Sequence, residues 1–368
     1  MMKPARLALG LVLVLSALAW TVAGRAGTTR MDLPASLSDE EFWKLSQDFS
    51  ENGGTFHSEN FVSNEGRFQL IVPDLVSRAR QGGLYLGVGP EQNFTYIANL
   101  HPRMAFIVDI RRGNLQEHLL YKALFEMSAD RAEFLSRLFS RSRPAGVGAS
   151  SSPQQLFAAY DAVPATAEQY AANLAAVLAW LTASPHHLPL DKTDRDGIDF
   201  IYKTAFFADG PELGYQLTGQ GRSSQHPTYA ELMSVDDGAG RQRSYLATEE
   251  NFQVMKALET ANLLVPVVGD FGGPKALQAV ARYAREKGAV VSAFYLSNVE
   301  QYLQQDGKTA AFCANVAAMP LDGRSTFIRS SANRSRAGFG NGPFGGLGMF
   351  WLALGEMQTE TAACAVAR

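Results

Sequence analysis

Two glycines and two acids stand at the ends of apolar runs in this sequence. Gly87 and Gly89 follow the run at residues 84–86, and Asp109 ends a second run about twenty residues later. Glycines let the backbone approach a ligand closely, and an acid at that distance commonly holds the hydroxyls of a ribose. Asp270 ends a later apolar run. If these runs are parallel strands, all four residues meet at one edge of a sheet and predict an adenosyl or nucleotide site there.

The residues beside the glycines indicate which ligand is expected. Gln92 stands where a dinucleotide fingerprint has its third glycine, and Pro90 removes a backbone N–H donor from the turn. Glu91 adds a carboxylate that would repel phosphate. We therefore expect a cationic adenosyl compound, S-adenosylmethionine, rather than NAD or FAD. The alternative is that the glycines only form a tight turn and that Asp109 only caps a helix. The expected cofactor-binding residues are Gly87, Gly89, Glu91, Gln92, Asn93, Asp109, Arg111, Asn64 and Glu65.

Alternating apolar runs and helical patterns predict the elements that position these residues. Continuous apolar strands at 84–89, 104–109, 263–268 and 289–296 alternate with helices, which indicates a parallel sheet covered on both faces. The fold class is therefore α/β, a Rossmann-like, doubly wound, mostly parallel sheet. The domain is expected to cover 37–330, with an inserted helical subdomain at about 140–234. Residues 331–368, rich in glycine, are expected to form a flexible tail.

The first residues have the pattern of an export signal. Lys3 and Arg6 precede an apolar run at 7–23, and small residues follow it. Residues 1–26 are therefore a signal peptide or an uncleaved membrane anchor, which places the protein on the periplasmic side and is its only expected membrane contact. The alternative is a true start at Met31, which would make the protein cytoplasmic.

Composition excludes several classes of function. The formal net charge of -3 over 368 residues gives no basic excess for nucleic acid. The six histidines show no pair at helical ligand spacing, so no metal is expected. The two cysteines, Cys313 and Cys364, are far apart, and a bond between them requires the tail to fold back; we therefore do not expect a disulfide. The expected partner is a small molecule.

Several stretches resemble an uncharacterised bacterial family that is similar in fold to class I S-adenosylmethionine-dependent methyltransferases. The resemblance covers about 37–330 and rests on residues 61–65, 83–97, 104–111, 243–247, 265–270 and 297–300. It implies the fold; the activity does not follow from it, because a fold hosts many functions.

On the methyltransferase interpretation, each stretch has an expected role. Gly87 and Gly89 would pass under the methionine part of the cofactor, and Asn64 or Glu65 would close over it. The acceptor would lie at the far side of the site, against the substrate-binding residues Ser297 and Asn298 and the catalytic bases Asp270 and Glu300. As simpler alternatives, Asp270 caps a helix and Glu300 is a solvated helix residue.

Two other hypotheses compete with this one. The first is a non-catalytic adenosyl- or nucleotide-binding protein, or an interaction protein whose degenerate sheet serves partner contact; export favours this hypothesis because S-adenosylmethionine is made in the cytosol. The second is a hydrolase that uses Asp270 and a histidine, but no Gly-x-Ser-x-Gly elbow supports it.

Overall fold

Six strands form one sheet in the computed structural model, which describes residues 31–217, 226–331 and 351–366. The spatial order of the strands is β3-β2-β1-β4-β5-β6; the first five are parallel, and β6 runs antiparallel to β5. The strands are β1 (Leu84–Gly87), β2 (Met104–Asp109), β3 (Leu264–Val268), β4 (Val291–Ser297), β5 (Thr326–Ser331) and β6 (Trp351–Glu356). The prediction of an α/β fold with a mostly parallel sheet is confirmed.

The central strands are buried on both faces, as their continuous apolar sequences require. Every residue of β1, β2 and β3 is buried. From β1 the chain moves to β2 and β3 on one side, and it then crosses to β4 on the other side. The carboxyl ends of β1 and β4 therefore flank the point where strand order reverses, which is where open α/β sheets bind ligands.

Fourteen helices of the described residues surround this sheet. They are α1 (Asp39–Phe49), α2 (Val72–Arg78), α3 (Gln92–Leu100), α4 (Arg112–Met127), α5 (Arg131–Leu138), α6 (Pro153–Asp161), α7 (Ala167–Thr182), α8 (Lys192–Ile201), α9 (Tyr229–Ser234), α10 (Glu249–Thr260), α11 (Ala276–Glu286), α12 (Val299–Gln305), α13 (Thr309–Ala317) and α14 (Met357–Val366). The Ser38 side chain caps α1 and Thr248 caps α10. Helices α4 and α5 are separate, and Asp130 caps the second.

The region predicted as a helical insertion lies between β2 and β3. Its helices are α6 to α9, with a π-turn at Tyr202–Phe207 and a 3-10 turn at Gly210–Glu212. Two arginines fasten this region to the rest. Arg112 of α4 pairs with the buried Asp194 of α8 at 2.7 Å, and the buried Arg131 donates to the carbonyls of Ala149 and Ser151. These contacts leave α4 covered by helices on the side away from the sheet.

The end of the chain differs from the prediction. A flexible tail over 331–368 was wrong for residues 351–366, which form β6 and α14; the predicted glycine-rich stretch falls in 332–350, outside the described residues. Because β6 turns the chain back along β5, α14 reaches α13, and Cys313 bonds to Cys364 with Cα atoms 5.8 Å apart. The expectation that these cysteines stay unpaired was therefore also wrong.

The predicted signal peptide or anchor at 1–26 lies outside the described residues and stays a prediction. Within the ranges that the structure covers, no helix has the length and apolar character needed to span a bilayer.

Candidate functional site

The glycine turn after β1 is built around the side chain of Asn93. Its Nδ2 donates to the carbonyls of Val88 and Pro90 at 2.9 and 2.8 Å, and its Oδ1 accepts from the Tyr85 hydroxyl at 2.9 Å. A Cβ on Gly87 would lie 1.8 Å from that Oδ1, and Gly89 has φ +76°. The two glycines are therefore required by the turn itself, and Asn93, predicted to bind a cofactor, fills the turn from inside.

Glu91 places a buried carboxylate at the N-terminus of α3. The Ser63 backbone N–H lies 3.4 Å from its Oε1, and its Oε2 has no hydrogen-bond partner among the described residues. Burial raises the pKa of Glu91 to about 8. Helix N-termini normally attract anions, and the Glu91 side chain takes the place that a phosphate would occupy there. With its pKa raised to about 8, this acid is largely protonated near neutral pH unless a cation lies beside it.

Asp109, at the end of the neighbouring strand β2, is paired with Arg111. The carboxylate accepts from the Arg111 backbone N–H at 2.8 Å, from its Nε at 3.1 Å and from its Nη2 at 3.0 Å. Both residues are buried, and the Arg111 Nη1 donates to the Glu59 carbonyl. The acid expected at a ribose is thus present at the correct strand end, with a guanidinium fixed against it.

Residues 50–65, here called the roof segment, cross the carboxyl edge of the sheet. The Glu51 N–H donates to the Val268 carbonyl at the end of β3, and the Gly54 N–H donates to the Ile110 carbonyl after β2. Farther along, Asn60 lies beside Gly89, and Glu65 reaches β4. The roof segment therefore passes over four strand ends, and Asn64 and Glu65 lie on the edge where the site was predicted.

Glu65 is the centre of a buried polar network at the strand-order reversal. Its carboxylate accepts from Gln92 Nε2 at 2.7 Å, from the Tyr295 hydroxyl at 3.0 Å and from the Ser297 hydroxyl at 2.7 Å. Burial raises the pKa of Glu65, and these hydrogen bonds oppose the rise. The Ser63 hydroxyl donates to Gln92 Oε1. Gln92 and Ser297, predicted as ligand contacts, are therefore joined through Glu65.

The predicted acceptor-side residues do not converge. Asp270 pairs with Lys308 at 2.6 Å beyond β3, whereas Glu300 pairs with Arg329 of β5. With β2 and β1 between β3 and β4, their strand ends are about 14 Å apart at the usual strand spacing. Asn298 is the residue before α12, next to Ser297, which has φ +50°. Asp270 also accepts from the Gly272 N–H and so lies in a turn; the simpler interpretation as a helix cap was wrong, because α11 begins at Ala276 and the residue before it is Lys275.

The buried polar face of α4 was not predicted from the sequence. Asn114, Glu117, His118 and Tyr121 recur at helical spacing and are all at most 1% exposed. His118 Nε2 lies 3.0 Å from the Gly89 carbonyl, so this face adjoins the glycine turn. The polar spacing was visible in the sequence, but a polar stripe normally faces water.

Burial perturbs the ionisable groups of this face. It raises the pKa of Glu117 far above its ordinary range, with Glu91 and Asp109 adding to the rise and Arg111 opposing it. It lowers the pKa of His118 to about 4, which leaves the imidazole neutral at physiological pH. The edge of the sheet thus carries buried acids, one fixed guanidinium and a neutral imidazole. No group of three or more metal-ligating side chains occurs within the described ranges.

Comparison with known proteins gives one family and no characterised relative. A family model described as "Domain of unknown function (DUF7790)" matches residues 60–149 and 156–346, more than half of the chain. No curated protein matches.

Proposed function

The chain belongs to the DUF7790 family, whose description names no activity, and we propose its function from the residues of its candidate site. The protein binds S-adenosylmethionine or a closely related cationic adenosyl compound, and it is a methyltransferase-like protein. The ligand lies across the carboxyl ends of β1 and β2, beneath the roof segment.

The buried carboxylate of Glu91 carries this proposal. Because its pKa is raised to about 8, Glu91 is largely protonated near neutral pH in the free protein; a sulfonium beside it would stabilise the ionised form, whereas a diphosphate would oppose it. Its Oε2 has no hydrogen-bond partner among the described residues. An unneutralised buried acid costs free energy that a cationic ligand would offset.

Asp109 and Arg111 supply the polar contacts for the rest of the ligand. Asp109 Oδ1 accepts two hydrogen bonds from Arg111, but Oδ2 accepts one, so Oδ2 has a further lone pair to which a ribose hydroxyl can donate. The planar Arg111 guanidinium adjoins the same edge and offers donors or a stacking surface for a base.

The second candidate is an adenosyl-binding protein without transfer activity. The observation in its favour is that Asp270 and Glu300, the expected bases, are each held in an ion pair with Lys308 and Arg329. Methyl transfer requires chiefly in-line positioning, so the first candidate does not depend on either base.

Calorimetric titration of protein beginning at Met31 tests the ligand. We expect binding of S-adenosylmethionine and S-adenosylhomocysteine, and none of NADH. Asp109→Asn and Glu91→Gln should each weaken binding of S-adenosylmethionine at least tenfold. Glu259→Gln is the matched control, because Glu259 is an equally buried acid on α10 whose pKa burial also raises to about 8. Tight NADH binding, or equal affinity in all variants, would overturn the proposal.

Transfer is tested separately from binding. Incubation with methyl-labelled S-adenosylmethionine and a pool of small-molecule acceptors should yield a labelled product if the first candidate holds. Binding without any labelled product supports the second candidate.

We also propose that the protein is exported, as its first residues indicate. Support comes from Cys313–Cys364, because disulfides persist in oxidising compartments and are rare in the cytosol. Mass spectrometry of the mature N-terminus tests this: cleavage near residue 26 or an intact apolar segment in the membrane fraction supports export. A soluble protein beginning at Met31 with free thiols contradicts it.

A further inference from the structure

The buried face of α4 contains polar atoms without partners. Among the described residues, six such atoms lie at this place: Nδ2 of Asn114, both carboxyl oxygens of Glu117, Nδ1 of His118, the Tyr121 hydroxyl and, across from them, Oε2 of Glu91. Buried polar atoms are almost always hydrogen-bonded to protein, water or ligand. A concentration of unpaired atoms on adjacent turns of one helix therefore indicates a bound group.

The types of these atoms define the group. Because His118 Nε2 faces the Gly89 carbonyl, Nε2 carries the proton and Nδ1 presents a lone pair. Glu117 and Glu91 also present acceptors when ionised, whereas Asn114 and the Tyr121 hydroxyl can donate. Burial raises the pKa of both acids, and a ligand that donates several hydrogen bonds and carries positive charge would stabilise their ionised forms.

The nearest protein cation does not fill this role. Arg111 acts on Glu117 electrostatically, but its guanidinium is hydrogen-bonded to Asp109 and to the Glu59 carbonyl. A metal ion is also disfavoured, since no metal-ligating group of three forms among the described residues. An ammonium group has three N–H donors, a unit charge and roughly the size of a water molecule.

We infer that this face of α4 binds the ammonium group of a small primary amine, held by Glu117, Asn114 and His118. The site is enclosed, since these three side chains are each 1% exposed, so only a short, slender amine reaches it. Because it adjoins the glycine turn, the amine is the acceptor class for the methyl transfer proposed above, and this part of the inference rests on that proposal.

The protons, bonds and electron pairs of this methyl transfer balance with the groups present at the site. The ammonium gives one proton to the Glu117 carboxylate, which leaves a neutral amine with a free lone pair. That lone pair forms the new N–C bond to the methyl carbon while the C–S bond breaks and its electron pair returns to sulfur. The products are a methylammonium-type cation, a thioether and a protonated Glu117.

Thermal denaturation with methylammonium chloride tests the site without any cofactor. We expect methylammonium to raise Tm relative to equal potassium chloride, and tetramethylammonium, which has no N–H, to have no such effect. Glu117→Gln should reduce the apparent affinity for methylammonium at least tenfold, whereas Glu259→Gln should leave it unchanged. Asn114→Asp, which adds an acceptor, provides a second variant if Glu117→Gln folds poorly, and it should tighten binding.

The opposite results overturn the inference. If methylammonium and potassium stabilise equally, or tetramethylammonium works as well, ordered water fills the site. S-adenosylhomocysteine binding should persist within about threefold in Glu117→Gln. If the unaltered protein binds S-adenosylhomocysteine but shows no amine effect, the amine site alone is refuted. If the unaltered protein binds neither S-adenosylhomocysteine nor methylammonium, the proposed function is refuted as well.

Discussion

The Glu65 carboxylate lies 2.7 Å from the Ser297 hydroxyl, although 232 residues separate them. This hydrogen bond joins the roof segment to the end of β4, and Gln92 joins the same carboxylate to α3. The roof segment is therefore fixed on both sides of the strand-order reversal. A ligand can enter at this edge only through a gap beside Glu65 or after the hydrogen bonds of Glu65 break.

We predict that Glu65→Gln destabilises the fold. The glutamine side chain has one acceptor oxygen where the carboxylate has two, and its N–H groups face the donors that bond to Glu65. Each hydrogen bond to a charged acceptor is worth about 1.5–3 kcal/mol, and these bonds are weakened. The free energy of unfolding, measured in urea at pH 8, should fall by about 3 kcal/mol. Ser297→Ala, which removes one donor, should cost about 1 kcal/mol. A Glu65→Gln protein as stable as the wild type would show that this network does not hold the roof segment.

Glu91→Gln should become more stabilising as pH rises. Burial raises the folded pKa of Glu91 from 4.5 to about 8, so its contribution to stability is complete below about pH 4.5 and is lost as pH rises toward 8. Glutamine does not titrate. The stability difference between variant and wild type should grow by up to about 1.4 kcal/mol per pH unit between pH 5 and 8.

Urea unfolding at several pH values measures this slope. Glu259→Gln should give a similar slope, because burial also raises the pKa of Glu259 to about 8. Only Glu91→Gln should also weaken adenosyl binding. A flat profile for Glu91→Gln would mean that Glu91 is solvated in the folded protein.

His186 should stabilise the fold most under mildly acidic conditions. It bonds to Asp39 at 2.6 Å and to Glu126, and although burial alone would lower the pKa of His186, these two carboxylates raise it above 6.5. The stabilisation is therefore present below pH 6.5 and is lost as pH rises through the folded pKa.

We expect His186→Gln to cost about 2 kcal/mol at pH 6 and less at pH 9. Chemical denaturation at the two pH values checks this, with His57→Gln, at an exposed position, as the control variant. An equal cost at both pH values would mean that the charge of His186 contributes nothing.

Reduction of Cys313–Cys364 should destabilise the folded protein. The bond joins residues 51 positions apart, and closing a loop of that length in the unfolded chain is worth about 4 kcal/mol. Unfolding with and without dithiothreitol measures the difference. The double variant Cys313→Ser/Cys364→Ser should behave as the reduced protein and show no response to reductant. Two titratable thiols in protein purified without reductant would contradict the bond.

Local patterns were sufficient to predict the framework. Apolar runs identified four of the five parallel strands, because a strand buried on both faces has a continuous apolar sequence. The glycine turn and Asp109 were found at the predicted strand ends for the same reason.

Contacts between distant segments could not be predicted in this way. The Asn114–Tyr121 face of α4 is polar in sequence, yet it is buried because other parts of the chain cover it. Glu65 meets partners far along the chain, and β6 belongs to the sheet only because it pairs with β5. A polar stripe has the same spacing whether it faces water or is covered by a remote segment, so its periodicity does not reveal its burial.

The bond between α13 and α14 also determines how the protein responds to a protease. A single cut anywhere between Cys313 and Cys364 yields two polypeptides that remain covalently attached. Cleaved molecules therefore migrate as intact chains in a gel run without reductant, and backbone damage in this part of the protein becomes visible only after the sulfur link is opened.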